Sequence, residues 1–235
     1  MYACVLPLMA LVCSSVAMAA GESGLIPSAT GTNDLRLMVG ISPPIESGTI
    51  RGIVIAGPQP PFSQSLKSTS EVGPKAGIRY LHGFWFDPDW GFKVGVDAVV
   101  MRSQGQTKDK RAVATASTQA FTLDSQSAGI WIGPTSRISI ESLDYPADFC
   151  EFELLLGGGP AQITAMNAGS VSSAAMGWRY GASVAVVFTA FSRWQVGFEA
   201  GYEAVTATDL KWNNTRKSEV TAAGVSGGIF LGHRW

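Results

Sequence analysis

Strict two-residue alternation is the feature that most constrains what this chain can fold into. In the stretch WQVGFEAGYEAV (residues 194–205), apolar residues fill every second position, and Gln, Gly and Glu fill the others. A period of two is typical of β-strands, whose successive side chains point to opposite faces of a sheet. Similar alternation recurs along most of the chain, and glycines inside the best runs would weaken a helix. The sequence therefore predicts an all-β fold.

Turn signals divide these runs into hairpins. Three pairs of strands meet at Asp87-Pro88-Asp89, at residues 144–148 and at Phe191-Ser192-Arg193. The longer, polar connections lie at about 43–75, 104–126, 165–174 and 207–218. With a first strand at 35–42 and a last from about 219 to 235, the pattern predicts an eight-stranded antiparallel up-and-down transmembrane β-barrel, with short turns at one end and long loops at the other. Segment 49–57 also has the pattern of a strand, and it either extends the first hairpin or makes the barrel ten-stranded.

The first residues predict export. A short apolar run, Val5–Val12, precedes the small-x-small motif Ala17-Met18-Ala19, which is typical of a signal peptide at residues 1–19. We expect residues 20–32 to form a lead, residues 33–235 to form the barrel, and export to follow the general secretory route. Cleavage would remove Cys4 and Cys13 and leave Cys150 without a disulfide partner.

Charge balance indicates which face of the strands points inward. When alternation sets the register of each strand, one face is apolar and the other holds six basic and six acidic residues. Charges confined in a narrow lumen must pair, since an unpaired buried ion costs several kcal/mol. The predicted lumen charges are Arg36, Arg79, Lys93, Asp97, Arg137, Glu141, Glu151, Glu153, Arg179, Glu199, Glu203 and Arg234. A soluble barrel with a solvated polar face and an apolar ligand cavity is the alternative that this pattern leaves open.

The aromatic residues and the end of the chain carry a resemblance to a known family. Aromatic residues flank the short turns, as at Phe86 and Trp90, and the strands GWRYGASVAVVF and VGFEAGYEAV repeat glycine with aromatic residues. With the ending GIFLGHRW, residues 33–235 resemble the small outer-membrane β-barrels of diderm bacteria, the group of the OmpA transmembrane domain and OmpX. The resemblance implies an outer-membrane location and contact with lipid and lipopolysaccharide. It also implies that Ile229, Leu231 and Trp235 form the signal read by the barrel-assembly machinery, whereas His233 departs from the usual apolar choice.

The sequence offers little for catalysis. Both histidines, His82 and His233, fall on the apolar face, neither has a serine two residues away, and the first strand should separate their strands. Two distant histidines and one cysteine do not match a zinc site. We expect no catalytic residue, metal or cofactor, with a lipid A-modifying activity as an alternative.

The expected function follows from geometry. Eight strands leave interior room for side chains alone, so we expect a closed, salt-bridged interior and a structural or surface-interaction role through long external loops. A narrow channel or carrier for small solutes is the main alternative. With 17 basic against 18 acidic residues, the chain lacks the excess of positive charge typical of a nucleic-acid binder. We expect a monomer, and the surface partner is not predicted.

Overall fold

The computed structural model of this chain describes residues 31–52, 62–67, 71–109, 119–139, 149–167, 170–191, 193–212 and 216–235. Within these ranges, no helix has the length and apolar character needed to cross a membrane. The predicted signal peptide and residues 20–30 of the predicted lead lie outside the described residues. The first strand begins at Gly31, inside the predicted lead.

Eleven strands form from the alternating runs. Their bounds are β1 (Gly31–Ser42), β2 (Ile45–Gly52), β3 (Phe62–Lys67), β4 (Gly73–Trp85), β5 (Trp90–Asp109), β6 (Gln119–Ser139), β7 (Phe149–Asn167), β8 (Ser170–Val171), β9 (Ala175–Ala190), β10 (Trp194–Trp212) and β11 (Arg216–Arg234). All pairings between them are antiparallel.

Eight of these strands close into a ring, which confirms the predicted barrel. The order around the wall is β1, β4, β5, β6, β7, β9, β10 and β11, and β11 pairs again with β1. Backbone hydrogen bonds of 3.0 Å in both directions between Asn33 and Trp235 complete the closing seam at the turn end. At the first short turn, the Asp87 carboxylate accepts hydrogen bonds from the backbone N–H groups of Asp89 and Trp90, at 2.9 and 2.6 Å.

The first hairpin continues beyond the ring. The described part of segment 49–57 belongs to this extension. Pro43 and Pro44 interrupt the first strand, and the chain then re-enters the wall as β2, which pairs with β11. Strand β3 pairs with both β2 and β5, so β2 and β3 replace β1 and β4 at the loop end. The wall therefore extends an eight-stranded barrel and does not add two strands to the ring. Residues 53–57 lie outside the described residues.

The predicted loops are shorter than expected. Strands β5, β6, β10 and β11 continue far into the segments predicted as polar connections, up to the pairs Thr107–Gln119 and Trp212–Arg216. The sequence there is polar and rich in small residues, so its apolar–polar alternation is weak. Hydrogen bonds between the strands nevertheless continue and pair the backbone N–H and C=O groups. The prediction of long loops was wrong for these described segments.

The apolar face of the wall points outward. Leu37, Ile130 and Phe198 are each at least 60% exposed, whereas Arg36, Arg79 and Lys93 on the opposite face are at most 1% exposed. On β5 the outward apolar row runs from Trp90 to Val100, a band roughly 25 Å tall when strands are tilted as in transmembrane barrels. Beyond it comes the outward ion pair of Arg102 with Asp124, at 2.7 and 2.8 Å.

Outward aromatic residues lie near both limits of this band. Trp90, Trp194 and Trp235 are exposed at the turn end, and Trp178 and Tyr202 are exposed farther toward the loop end. Amphipathic rings at two levels are typical of the two interfaces of a bilayer.

We predict that Val196→Arg or Phe198→Arg lowers the free energy of unfolding by about 2 to 4 kcal/mol, because each places a cation in the apolar band. The measurement is reversible unfolding in phospholipid vesicles, followed by heat-modifiable gel mobility. Val196→Leu is the matched control and should leave stability near that of the parent. Arginine variants as stable as the leucine control would contradict a lipid-facing row.

Candidate functional site: the ionic interior

A cluster of charged side chains fills the turn end of the lumen. This turn-end cluster comprises Asp34, Arg36, Lys93, Arg137, Glu151, Glu153 and Arg234. At its centre, the Lys93 ammonium donates to Asp34 at 2.7 Å, Glu151 at 2.8 Å and Glu153 at 2.5 Å. Carboxylates from β1 and β7 thus converge on one cation from β5.

Arginines complete the partners of those carboxylates. Arg36 holds both oxygens of Glu153 at 2.6 Å, and Arg234 bridges Asp34 and Glu151 at 2.6 to 2.9 Å. Bidentate arginine–carboxylate pairs are the strong class of charge-assisted hydrogen bond. Oxygens of Asp34, Glu151 and Glu153 lie close enough together to resemble a metal-binding group, but the lysine ammonium occupies their common centre.

Arg137 covers the turn-end mouth of the lumen. Its guanidinium lies 3.9 Å from the ring centre of Trp85 and 4.0 Å from that of Phe149, and it donates to Glu151 at 2.9 Å. Stacking between two aromatic rings and an ion pair fix one planar group across the opening.

A second group of charges lies deeper in the barrel. This central cluster comprises Lys75, Arg79, Asp97, Arg179, Glu199 and Glu203. Arg179 pairs with Asp97, Arg79 with Glu199 at 2.6 Å, and Lys75 with Glu203 at 2.7 Å. Three cations therefore meet three anions there, each pair joining different strands.

On the β4, β6 and β7 side of the lumen, an apolar layer lies between the two clusters, whereas on β1 Arg36 is the register partner of Arg79 and the clusters adjoin. Leu81, Trp131 and Leu155 are fully buried and pack against one another. The Trp131 ring lies 4.6 Å from the Arg79 guanidinium and 5.5 Å from that of Arg179, so the indole contacts the central cluster by cation–π interaction. Its ring nitrogen has no hydrogen-bond partner among the described residues.

The loop end of the lumen is apolar, which the sequence analysis missed. Inward positions there are filled by Phe121, Leu123, Ile163, Val205 and Leu210, all at most 1% exposed, and we call this group with its buried neighbours the loop-end core. The predicted alternation identified the charged part of the inward face, but toward the loop end the inward side chains are apolar and outward ones such as Arg102 and Asp124 are polar.

The structure places the predicted lumen charges as follows. Glu141 lies outside the described residues. All the others point into the ring, with Arg137 and Glu199 partly buried and the rest buried. Asp34 and Lys75 share this face and were not predicted, because the first predicted strand began at residue 35 and Lys75 was assigned to the connection at 43–75. Extending the alternation from Arg36 and Arg79 by one and two steps would have found them.

From positions along neighbouring strands we predict that Glu203 pairs with Arg179, and that Arg234 meets Gln195 or Glu199. Both predictions are wrong: Glu203 contacts Lys75 and Glu199 contacts Arg79, each across the lumen. Glycine is the reason: Glu203 stands opposite Gly181 and Gly224 on its two neighbouring strands. Small neighbours leave the carboxylate free to cross a narrow lumen.

Both histidines lie on the outer wall near the turn end. His82 Nδ1 is 2.9 Å from the Asn33 side-chain oxygen, and His233 stacks near Trp235 with ring centres 6.1 Å apart. Strand β1 separates their strands, as predicted. Among the described residues, the remaining ring contacts are those of His82 with Phe84, at 4.5 Å between ring centres, and of His233 with Trp194, at 5.2 Å.

No protein-family model matches the chain, and no curated protein matches it in sequence. Among solved structures, it is similar to the attachment invasion locus protein Ail of Yersinia pestis (15% identity, 87% of this chain and 99% of that chain, TM-score 0.35). It is also similar to the outer membrane protein OprG of Pseudomonas aeruginosa (11%, 88% and 97%, 0.47) and to the outer membrane protease OmpT of Escherichia coli (9%, 86% and 95%, 0.36). The predicted eight-stranded antiparallel ring is confirmed by the strand pairing itself, and the TM-scores of these likenesses are all below 0.5.

We predict strong energetic coupling between Arg179 and Asp97. Removing either partner leaves a buried charge and should cost about 3 to 5 kcal/mol of unfolding free energy, whereas removing both should cost less than the sum. A double-mutant cycle with Arg179→Met and Asp97→Asn in vesicles measures this coupling.

The exposed pair Arg102–Asp124 provides the matched control, since it has the same chemistry outside the lumen. Its coupling should stay within about 1 kcal/mol. Equal coupling for the two pairs, or simple additivity at Arg179 and Asp97, would contradict the buried ion pair.

Proposed function

We propose that this protein is an integral β-barrel of the outer membrane of a diderm bacterium, with a closed, salt-bridged interior and a role in envelope structure or surface interaction. The apolar outer band, its aromatic limits and the charged interior support this proposal together. A soluble barrel would have the opposite arrangement, with apolar side chains inside along its whole length.

The observation that carries the closed interior is the burial of large side chains across the lumen. Arg36, Lys93, Arg79, Trp131 and Arg179 are all at most 1% exposed and occupy successive levels. The cavity beside Lys75 and Glu199 has a volume of about 10 Å³, which is room for about one water molecule. The loop-end core continues this packing above the charges.

The strands extend beyond the bilayer band and provide a rigid support. Strand β10 has 19 residues, which span roughly 50 Å at the usual rise and tilt, about twice the height of an apolar band. The loop-end core fills the projecting part, so it is a packed platform for whatever the connections at its tip bind.

The remaining partners follow from this location. We propose that a monomer contacts outer-membrane lipid and lipopolysaccharide, arrives through the general secretory route, is inserted by the barrel-assembly machinery, and has no catalytic role. A lipid A mass spectrum identical with and without the expressed protein is the result expected from the absence of a catalytic role.

We predict that the purified barrel in planar bilayers gives no discrete conductance steps, because packed layers close the lumen in series. The Arg137→Ala variant should also give no conductance steps, because it opens the turn-end mouth but leaves the ion pairs of Lys93 intact. Stable steps from the unaltered protein would contradict the closed interior and favour the narrow-channel alternative.

We predict that Trp235→Ala slows assembly, because it removes the aromatic ring of the proposed recognition signal while keeping the backbone hydrogen bonds with Asn33. Trp194→Ala is the control, since Trp194 is another exposed aromatic residue at the same rim. Pulse-chase measurement of heat-modifiable folded protein checks both variants. Equal assembly rates for the two would remove the special role of the final aromatic residue.

A further inference from the structure

The seam between β6 and β7 differs from the other seams of the wall. Its register is constant from Phe121–Asn167 to Ser139–Phe149, yet pairing is absent at residues 128–129 opposite 159–160 and at 133–134 opposite 154–155. Every other ladder of the ring is continuous through the described part of the apolar band.

Two prolines account for both gaps. Pro134 still pairs with Phe92 on β5, and Pro160 still pairs with Trp178 on β9, so each ring nitrogen faces the β6–β7 seam. Proline has no N–H to donate, and it is confined in sheets to positions where that donor is not needed. The same seam therefore lacks two donors.

Glycine occupies much of both strands at this level, where Trp131 and Leu155 supply the inward side-chain packing between them. Gly129 and Gly133 on β6, and residues 157–159 on β7, are all glycine. Only the pairs at residues 130–132 with 156–158 lie between the two gaps. These three pairs lie between two interruptions of the ladder and are held by few backbone hydrogen bonds. Segments with few such bonds open locally more easily.

A groove on the outward side of the wall lies at the gap nearer the turn end, where residues 133–134 face 154–155. It has a volume of about 360 Å³ and is lined by outward side chains that include Trp90, Pro134, Phe152 and Leu154. A cavity of about 150 Å³ suffices to hold a benzene ring. The groove also reaches Thr135 and Glu153, whose side chains face the lumen.

Behind the gap at residues 133–134 and 154–155, the lumen holds an apolar layer beside one paired carboxylate. Leu155 lies in that gap and belongs to the layer with Leu81 and Trp131. A molecule that entered between the strands at this level would meet this layer next to Glu153, whose charge is paired with Arg36 and Lys93.

We propose that the barrel wall opens between β6 and β7, and that this opening admits one aromatic ring or a short alkyl chain from the bilayer to the layer of Leu81, Trp131 and Leu155. The inference goes beyond the surface role and does not depend on it. An opening through the wall is also compatible with a lumen that is closed along its axis.

The test uses a small aromatic diazirine dissolved in phospholipid vesicles that contain the full barrel. After photolysis, mass spectrometry maps the labelled residues. Label is expected on Trp131 and Leu155 as well as on outward residues. Phe230 is the internal control, since it is buried and inward but lies on β11, and it should stay unlabelled.

A reversible lock provides the matched comparison. In a Cys150→Ala background, Ile132→Cys with Leu156→Cys joins an outward pair across the proposed opening, and Val196→Cys with Leu231→Cys joins an outward pair in the continuous β10–β11 ladder. The first disulfide should abolish labelling of Trp131 and Leu155, and reduction should restore it. The second should have no effect.

Pro134→Val adds an independent measurement, because it restores a donor to the seam. One hydrogen bond gained by the closed state should lower labelling of Leu155 about fivefold. The inference is overturned if label in the unlocked protein stays confined to outward residues, or if the β6–β7 lock leaves labelling of Trp131 and Leu155 unchanged. Conductance tests the axial closure separately.

Discussion

Charge pairing in a space without room for water is the constraint on which the rest of this structure depends. Lys93 shows it most clearly, since its ammonium satisfies carboxylates from two strands that would otherwise be buried together. Each ion is costly to desolvate, so the network persists only while its partners stay in place. The barrel wall keeps these charged partners in place, because the closed ring of hydrogen-bonded strands fixes the position of every strand relative to the others.

The wall and the interior depend on each other through residue size. Glycines beside the inward charges, as at Gly181 and Gly224 around Glu203, leave space for side chains to cross the lumen. Outward positions carry the apolar bulk. In the membrane location that we propose, lipid would surround these side chains, and the strict alternation of the sequence would then reflect two environments, a bilayer outside and paired charges inside.

Local pattern was enough to predict the ring, the short turns and the inward direction of the charges. It could not predict partners, since Glu199 and Arg79 meet across the lumen and only ring closure brings them together. Asp34 and Lys75 were missed because they lie at strand ends, where alternation fades. The loop-end core was missed because inward side chains there are apolar and outward ones such as Arg102 and Asp124 are polar, the reverse of the pattern nearer the turns. The extension of the first hairpin was one of two alternatives that segment 49–57 left open, and Pro43 and Pro44 obscured where it begins.

Oxygen accessibility along β10 tests most directly that the charged face is interior. Spin labels are placed singly at positions 195–203 in a Cys150→Ala background, and power saturation is measured in vesicles with dissolved oxygen. High accessibility is expected at Val196, Phe198 and Tyr202, and low accessibility at Gln195, Glu199 and Glu203. An alternation of the opposite phase, or none, would contradict the ionic interior.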